Sequence, residues 1–325
     1  MAKRPKTALI RHAAELYYEQ DLSQQEISRI LDCSHSTVSR LLADARDMEI
    51  VQFRINRPVD SVPDLAIELR RKFGLRDAIV VHDGANTKQD YVNVGTAAAE
   101  FLSGVIDDGM KVGVTWGETL AEALKAMQPQ SLRDVEVVQI SGSLGPSTRD
   151  EDGPKSAIRL AELLGATCHL IPAPAVVDTE EARDLFLNQP QIRGALARAA
   201  KVDVIVQGIG TLAAGMSSLR RANYITREER EAARRAGAVG HVFARMIDIN
   251  GREVSDYSNR VIGISLEAMR KALWSIGISA SVEKAPAILG ALRGKYFNCI
   301  IIEEASAREV LRLAASSHVE TSAVA

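Results

Sequence analysis

The sequence predicts an α/β chain in two parts. A small helical N-terminal domain carries a helix-turn-helix, winged-helix-like in outline, and a larger C-terminal domain folds as a mainly parallel, doubly wound sheet. Three observations carry this. Two short amphipathic helical patterns separated by a tight turn span Leu22–Leu42. Short apolar runs alternate with helical patterns from Ala78 to Ile302. Between the two regions, Arg57-Pro58-Val59-Asp60-Ser61-Val62-Pro63 places two prolines within six residues, the chemistry of a short, stiff linker. A chain of 325 residues divides naturally into one small and one larger domain. The expected bounds are 1–57, a linker at 58–63, and 64–325.

The N-terminal elements follow from spacing. Ile10, Ala13, Ala14 and Tyr17 keep helical periodicity from about Thr7 to Glu19. The arm before them, Lys3-Arg4-Pro5-Lys6, is basic and suited to phosphate contact. Ser23 is a helix cap, and Glu26 three residues on completes a capping box. Ile27, Ile30 and Leu31 then form one apolar stripe. Asp32-Cys33-Ser34 breaks the pattern, and Ser34 caps a second helix. Its buried stripe is Val38, Leu41, Leu42 and Ala45. Its other face carries Ser34, His35, Ser36, Thr37, Ser39 and Arg40, short hydrogen-bonding groups and one long cation gathered near the helix N-terminus. A recognition helix presents such residues to base edges and phosphates. Arg40 suits either guanine or phosphate, and the hydroxyls suit either as well. Gln24 and Gln25, opening the first helix of the pair, join this candidate DNA-contacting set. Beyond it, Ile50–Ile55 alternates like a strand, half of a small wing.

The bland alternative is an ordinary packed helix pair. The Ser/Thr-rich turn, the preceding helix and the terminal position favour DNA. Charge does not: residues 1–57 hold nine Lys/Arg and eight Asp/Glu, a net +1. So weak a field requires dimerisation and specific contacts.

In the second domain Ala78–Val81, Lys111–Thr115, Val135–Ile140, Ala166–Leu170, Val202–Val206, Val261–Ile264, Ile276–Ser279 and Cys299–Ile302 read as short buried strands. Helical patterns lie between them: Tyr91–Val105, Thr119–Met127, Ser156–Leu164, Arg227–Ala236, Leu266–Leu273 and Lys284–Leu292. Continuously apolar strands alternating with helices mean a parallel sheet covered on both faces. Ligands bind such sheets beyond the C-terminal strand ends. The Ser/Ala-rich tail after Leu313 reads as a fraying end.

Three loops suit an anion. In Val112-Gly113-Val114-Thr115-Trp116-Gly117-Glu118-Thr119-Leu120 a strand turns sharply into a helix. Free N–H groups and the Thr115 and Thr119 hydroxyls make a phosphate cradle or, equally, a capped turn. Ser141-Gly142-Ser143-Leu144-Gly145 and Gly208-Ile209-Gly210 follow later strands. Their glycines lack the spacing of a dinucleotide fingerprint. Lys284 at a helix start opposes the dipole, which makes sense beside a bound anion or beside Glu283. Asp248 precedes Asn250-Gly251, a hairpin turn; it suits a sugar hydroxyl or the turn itself.

Composition narrows the classes. A net charge of −2 argues against nonspecific polyanion binding by the whole chain. Aromatics at 4% leave no stacking platform for single strands. Cys33, Cys168 and Cys299 are too scattered for a metal site, and Cys33 reads as small filler or a redox switch. No cofactor is implied. No apolar run reaches membrane length, and a cytoplasmic location with reduced thiols is expected.

The chain resembles the SorC family (SorC/DeoR sugar-binding type) of bacterial transcriptional regulators. The resemblance rests on Leu16-Tyr17-Tyr18 with Leu22–Ile27 and Val38–Leu42, Thr115–Leu120, Ser141–Gly145, Ile171-Pro172-Ala173-Pro174, Gly208-Ile209-Gly210, Gly237-Ala238-Val239-Gly240 and Lys284–Ile288. It spans nearly the whole chain, and its specificity lies in order and spacing. It implies a C-terminal domain similar to phosphosugar isomerases that binds a phosphorylated sugar or polyol and controls the grip on double-stranded operator DNA. It implies a homo-oligomer, a tetramer built as a dimer of dimers. It implies Thr115, Trp116, Gly117, Glu118, Thr119 and Lys284 as phosphate holders, and Asp248 as a hydroxyl ligand; Ser141, Gly142, Ser143 and Gly208 complete the expected effector set. Two departures stand out. Ala280-Ser281 replace a common Gly-Gly, which narrows that side of the pocket. Ser141 stands where some sugar-phosphate responders carry arginine. The alternative is a sugar-phosphate isomerase or deaminase with an appended helical domain. The sheet fits it equally, but Asp248, Glu118 and Lys284 form no evident acid–base constellation.

Overall fold

The computed structural model describes residues 6–48, 50–51, 60–145, 152–213, 216–254 and 256–322. The chain divides into two compact units, Met1–Pro58 and Val59–Ala325.

The first unit holds α1 (Lys6–Tyr18), α2 (Gln24–Ile30) and α3 (His35–Asp47). Local chemistry sets each boundary. The Ser23 hydroxyl accepts from the Glu26 N–H at 3.3 Å, and the Glu26 carboxylate accepts from the Ser23 N–H at 2.9 Å. The Ser34 hydroxyl accepts from the Thr37 N–H at 3.2 Å and starts α3. Asp32, at φ 48°, makes the turn between them. Ile10, Ala13, Ala14, Leu41 and Ala45 form one small core, and Leu16, Ile27, Val38 and Leu42 the other. Ile27 and Val38 are fully buried, each contributing about 1.5–3 kcal/mol. Ile50 and Val51 pack on this core without forming a strand. The rest of the expected wing (residues 52–55) and the basic arm at residues 3–5 lie outside the described residues, as do linker residues 58 and 59.

The second unit opens with α4 (Pro63–Phe73), β1 (Asp77–Val81), α5 (Thr87–Val105), β2 (Lys111–Val114), α6 (Glu118–Ala126), β3 (Glu136–Gln139), α7 (Gly153–Leu164) and β4 (Thr167–His169). It continues with α8 (Glu180–Leu187), α9 (Pro190–Ala199), β5 (Val204–Gly208), β6 (Gly210–Thr211), α10 (Ser218–Arg221), α11 (Arg227–Arg235), β7 (Ala238–Val242) and β8 (Arg245–Asp248). It closes with α12 (Leu266–Met269), β9 (Trp274–Ser279), α13 (Ala285–Arg293), β10 (Cys299–Glu303) and α14 (Glu304–Ser322).

Seven parallel strands form one sheet in the order β1-β10-β9-β5-β2-β3-β4. Successive side chains enter opposite cores. Ile300 and Ile302 pack with α4, α13 and α14, while Cys299 and Ile301 pack with α5, α6 and α7. Burial on both faces is why the strands are apolar without alternation. A second, antiparallel sheet, β6-β7-β8, stands beside α13 and belongs to the first of these cores.

Several expectations change. Val261–Ile264 is buried but is no sheet strand: Val261 bridges Val176 and Gly263 bridges Ser141, each as a single antiparallel pair. Ile262 is buried against α8 and α9 instead of by a ladder. The helix expected over Leu266–Leu273 stops at Met269. Lys284 closes a 3-10 turn (Val282–Lys284) and is the N-cap residue of α13, rather than lying inside it. Pro63, the end of the expected linker, is the first residue of α4. The Ser/Ala-rich tail after Leu313 continues helix α14 as far as Ser322.

Candidate functional site

The strand order contains one reversal. From β2 the chain adds β3 and β4 on one side, then crosses back to place β5 on the other side of β2 and continues through β9 and β10. Loops leaving β2 and β5 therefore diverge at their C-terminal ends and open a crevice there. That crevice holds a cavity of about 40 Å³. Its walls come from Thr115–Thr119 after β2, Gly208–Gly210 after β5, and Lys284 after β9. Arg221, His241 and Phe243 complete the polar and aromatic rim.

Glycine sets the floor. Gly117 sits at φ 153°, a backbone conformation that favours glycine, and a Cβ on it would meet the Gly208 Cα only at ordinary van der Waals distance, 3.8 Å. Gly117 is also the N-cap of α6 and supplies no side-chain cap. The first N–H groups of α6 are thus left for a ligand or water. Thr115 and Thr119 are both buried. The Thr115 hydroxyl donates to the Trp116 carbonyl at 3.3 Å.

Lys284 supplies the charge. It is 8% exposed, and its Nζ donates to the Tyr91 hydroxyl at 3.1 Å. Burial pulls its pKa down to about 8, against the opposing fields of Glu118 and Glu303. Glu118 itself is paired with Arg221 at 2.8 Å. Burial, with Glu118 nearby, holds the Tyr91 hydroxyl protonated well above its usual range. Glu303, at the end of β10, accepts from the Ser281 N–H at 2.9 Å, and burial raises its pKa. Ser281, at φ 101°, is the bend that turns the chain from β9 toward Lys284.

Seven of the expected effector residues meet here: Thr115, Trp116, Gly117, Glu118, Thr119, Gly208 and Lys284. Ser141, Gly142, Ser143 and Asp248 are not part of this lining. The Ser141–Gly145 loop is consumed by packing. Gly142 and Ser143 donate their N–H groups to the Ile262 and Ala173 carbonyls, and a Cβ on Gly142 would stand 2.1 Å from the Pro174 oxygen. The Asp248 Oδ1 accepts from the Asn250 and Arg252 N–H groups at 2.9 and 2.8 Å, the turn-holding alternative. Sequence reading missed Arg221, His241 and Tyr91. Each comes from a separate segment, and no spacing motif connects them to Lys284.

In the first unit Gln25, Ser34, His35, Ser36, Ser39 and Arg40 are exposed, while Gln24 and Thr37 are half-buried. The Ser34 hydroxyl also meets the Ser36 and Thr37 hydroxyls at 2.9 and 2.8 Å, so it serves the helix start first. Arg40 has no acidic partner within ion-pair distance among the described residues, which leaves its guanidinium to solvent or phosphate. Among the described residues no cluster of His, Cys, Asp and Glu could hold a metal, and no helix is long and apolar enough to cross a membrane.

Residues 58–312 match the Sugar-bind family of sugar-binding domains, and residues 11–47 match sigma-70 region 4. The chain is 32% identical over 313 residues to the deoxyribonucleoside regulator of Bacillus subtilis (strain 168), covering 95% of this chain and 98% of that relative. It is 30% identical over 309 residues to the sorbitol operon regulator of Klebsiella pneumoniae, covering 94% and 98% respectively. The crystal structure of the full-length sorbitol operon regulator SorC from Klebsiella pneumoniae resembles it with a TM-score of 0.71 at 30% identity. That likeness covers 94% of this chain and 98% of the other.

Proposed function

The chain belongs to the SorC family of sugar-binding transcriptional regulators, and we propose that its input is a phosphorylated sugar or polyol held by its anionic end at Lys284. It is a sugar-responsive, DNA-binding regulator rather than an enzyme, in keeping with relatives that are themselves regulators. Its target is an operon for carbohydrate or polyol breakdown.

Lys284 carries the reading of the input. An ammonium 8% exposed, bonded to a neutral phenol, keeps a full charge that a ligand oxyanion can meet. The open N-terminus of α6 faces the same cavity. A cavity of about 40 Å³ has room for roughly three waters. That suits the anionic end of a metabolite, with its carbon chain extending outward between the β2 and β5 loops.

The output is α3, laid in a major groove with Arg40, Ser36 and Ser39 toward the DNA. A unit with so little net charge acts as one arm of a homo-oligomer, a dimer of dimers on paired half-sites. The effector controls this grip only through a difference in its affinity for the DNA-competent and incompetent arrangements.

The test is a thermal-shift screen of phosphorylated and free sugars and polyols on the full chain and on Lys284→Ala. Stabilisation by phosphorylated compounds alone, lost in the variant, supports the reading. Equal stabilisation by free polyols, unaffected by the substitution, rejects the phosphate assignment.

A further inference from the structure

His241 is the least explained group in this cavity. It is the fourth residue of β7, 2% exposed, and it lines the same walls as Lys284. Its Nδ1 accepts from the Ala244 N–H at 3.3 Å. An accepting Nδ1 carries no proton, so in the neutral ring the proton is on Nε2. Nε2 is buried and has no hydrogen-bond partner among the described residues.

The fold invests in this orientation. β7 and β8 are joined by the two-residue turn Phe243-Ala244, with Val242 paired to Arg245. Both turn residues sit at positive φ, 35° and 73°, where glycine or asparagine is the usual choice. Strain of this kind persists where the surroundings impose it. Here it returns the Ala244 N–H to the ring. On the other side the imidazole lies against Gly210, where a Cβ would stand 2.1 Å from Nε2 and Cε1. The ring is thus fixed at one nitrogen and left unsatisfied at the other, beside a cavity wall. Burial, with the Lys284 charge as the second cause, pulls its pKa down to about 4, so the ring is neutral at physiological pH.

We propose that His241 is an effector-binding residue, whose Nε2–H donates to an oxygen of the same bound oxyanion that pairs with Lys284. This rests on the reading of the cavity as an anion site. The ligand group is an oxyanion, a phosphate ester or a carboxylate. A buried donor without a partner is costly, and an acceptor oxygen supplied by the ligand removes that cost.

Two variants isolate the donor. His241→Phe keeps a ring and has no N–H. His241→Gln reaches with its amide N–H toward the position of Nε2. Neither retains the ring Nδ1, and the unfolding midpoints of both variants separate a change in stability from loss of the Nε2 donor. Calorimetric titration of the full chain with inorganic phosphate and, separately, with acetate gives the affinities; histidine ¹H–¹⁵N spectra of the wild type give the tautomer. The expected result is an Nε2–H tautomer whose signal moves on titration, affinity about tenfold weaker in H241F, and recovery to within about threefold of wild type in H241Q. Whichever anion shows this pattern identifies the group. Binding that needs Lys284 but is equal in wild type and H241F overturns the role of His241 alone. If the wild type binds neither anion, the anion-site reading fails and this proposal fails with it.

Discussion

Lys284 donates from Nζ to the Tyr91 hydroxyl at 3.1 Å, with its ammonium 4.9 Å from the centroid of the same ring. A phenol holds the lysine in place without neutralising it. Glu118 and Glu303 offset the charge through their fields, and neither forms an ion pair with it among the described residues. The chain therefore carries a buried charge that its own packing does not require.

Replacing that lysine should stabilise the free protein. Its pKa is about 8 in the folded chain against 10.5 for the free side chain. Below pH 8 both folded and unfolded states are protonated, and the folded state bears the whole cost, about 3 kcal/mol. Lys284→Met is expected to raise unfolding stability at pH 7 by about 1–3 kcal/mol while abolishing the response to phosphate. Urea denaturation with and without phosphate measures both. A less stable variant would mean that the ammonium is already fully compensated.

Anion binding should be lost in mild alkali. The groups facing Lys284 are the carboxyl groups of Glu118, Glu283 and Glu303, the Arg221 guanidinium, and the neutral His241 and Tyr91. Above about pH 8 the free site loses its proton, so phosphate affinity is expected to fall up to tenfold per unit. An anion that favours the ammonium raises its pKa, so binding near pH 8 takes up protons. Calorimetry in two buffers of different ionisation enthalpy detects that uptake. Affinity constant from pH 7 to 10 would remove Lys284 from the site.

His241 gives a signature on the acid side, in stability rather than affinity. Its folded pKa is depressed from 6.5 to about 4. As pH falls through 6.5 the unfolded chain takes the proton first, so stability drops until about pH 4. The loss is about 3 kcal/mol. In H241F this component should disappear from the curve of unfolding free energy against pH. A variant curve parallel to wild type would show that burial does not shift this ring.

How far sequence reaches depends on the range of each interaction. The Ser23–Glu26 box and the Ile27–Val38 stripe are local, and spacing reveals them. The parallel strands are legible because burial on both faces leaves continuous apolar runs. Val261–Ile264 looks the same and is not one, since Ile262 is buried against α8 and α9 rather than within a ladder. The small sheet escapes because β6 is two residues long and pairs with β7 about thirty residues away. Helix α4 is overlooked because Pro63 reads as the end of a stiff linker, whereas it opens the helix and the left-handed Gly74 closes it. Arg221, His241 and Tyr91 reach the site only through the strand order, which no local pattern encodes.

Helix α3 allows folding and DNA contact to be separated. The Ser34 hydroxyl caps the helix by accepting from Thr37, so Ser34→Ala is expected to cost the N-terminal unit about 1 kcal/mol. A loss of DNA binding in that variant larger than the lost cap explains would mark the Ser34 hydroxyl as a contact. Arg40 is exposed and makes no ion pair among the described residues, so Arg40→Ala should leave stability within about 0.5 kcal/mol. If Arg40 reads guanine, the variant should lose about 1–3 kcal/mol of affinity and discriminate less at one base position. If it holds a phosphate, it should weaken all sequences alike and flatten the salt dependence by about one charge. Duplexes selected by the wild-type chain from a random pool, titrated at three salt concentrations, distinguish the two. Unchanged affinity and an unchanged salt slope in a folded Arg40→Ala protein would show that this face of α3 does not meet the DNA.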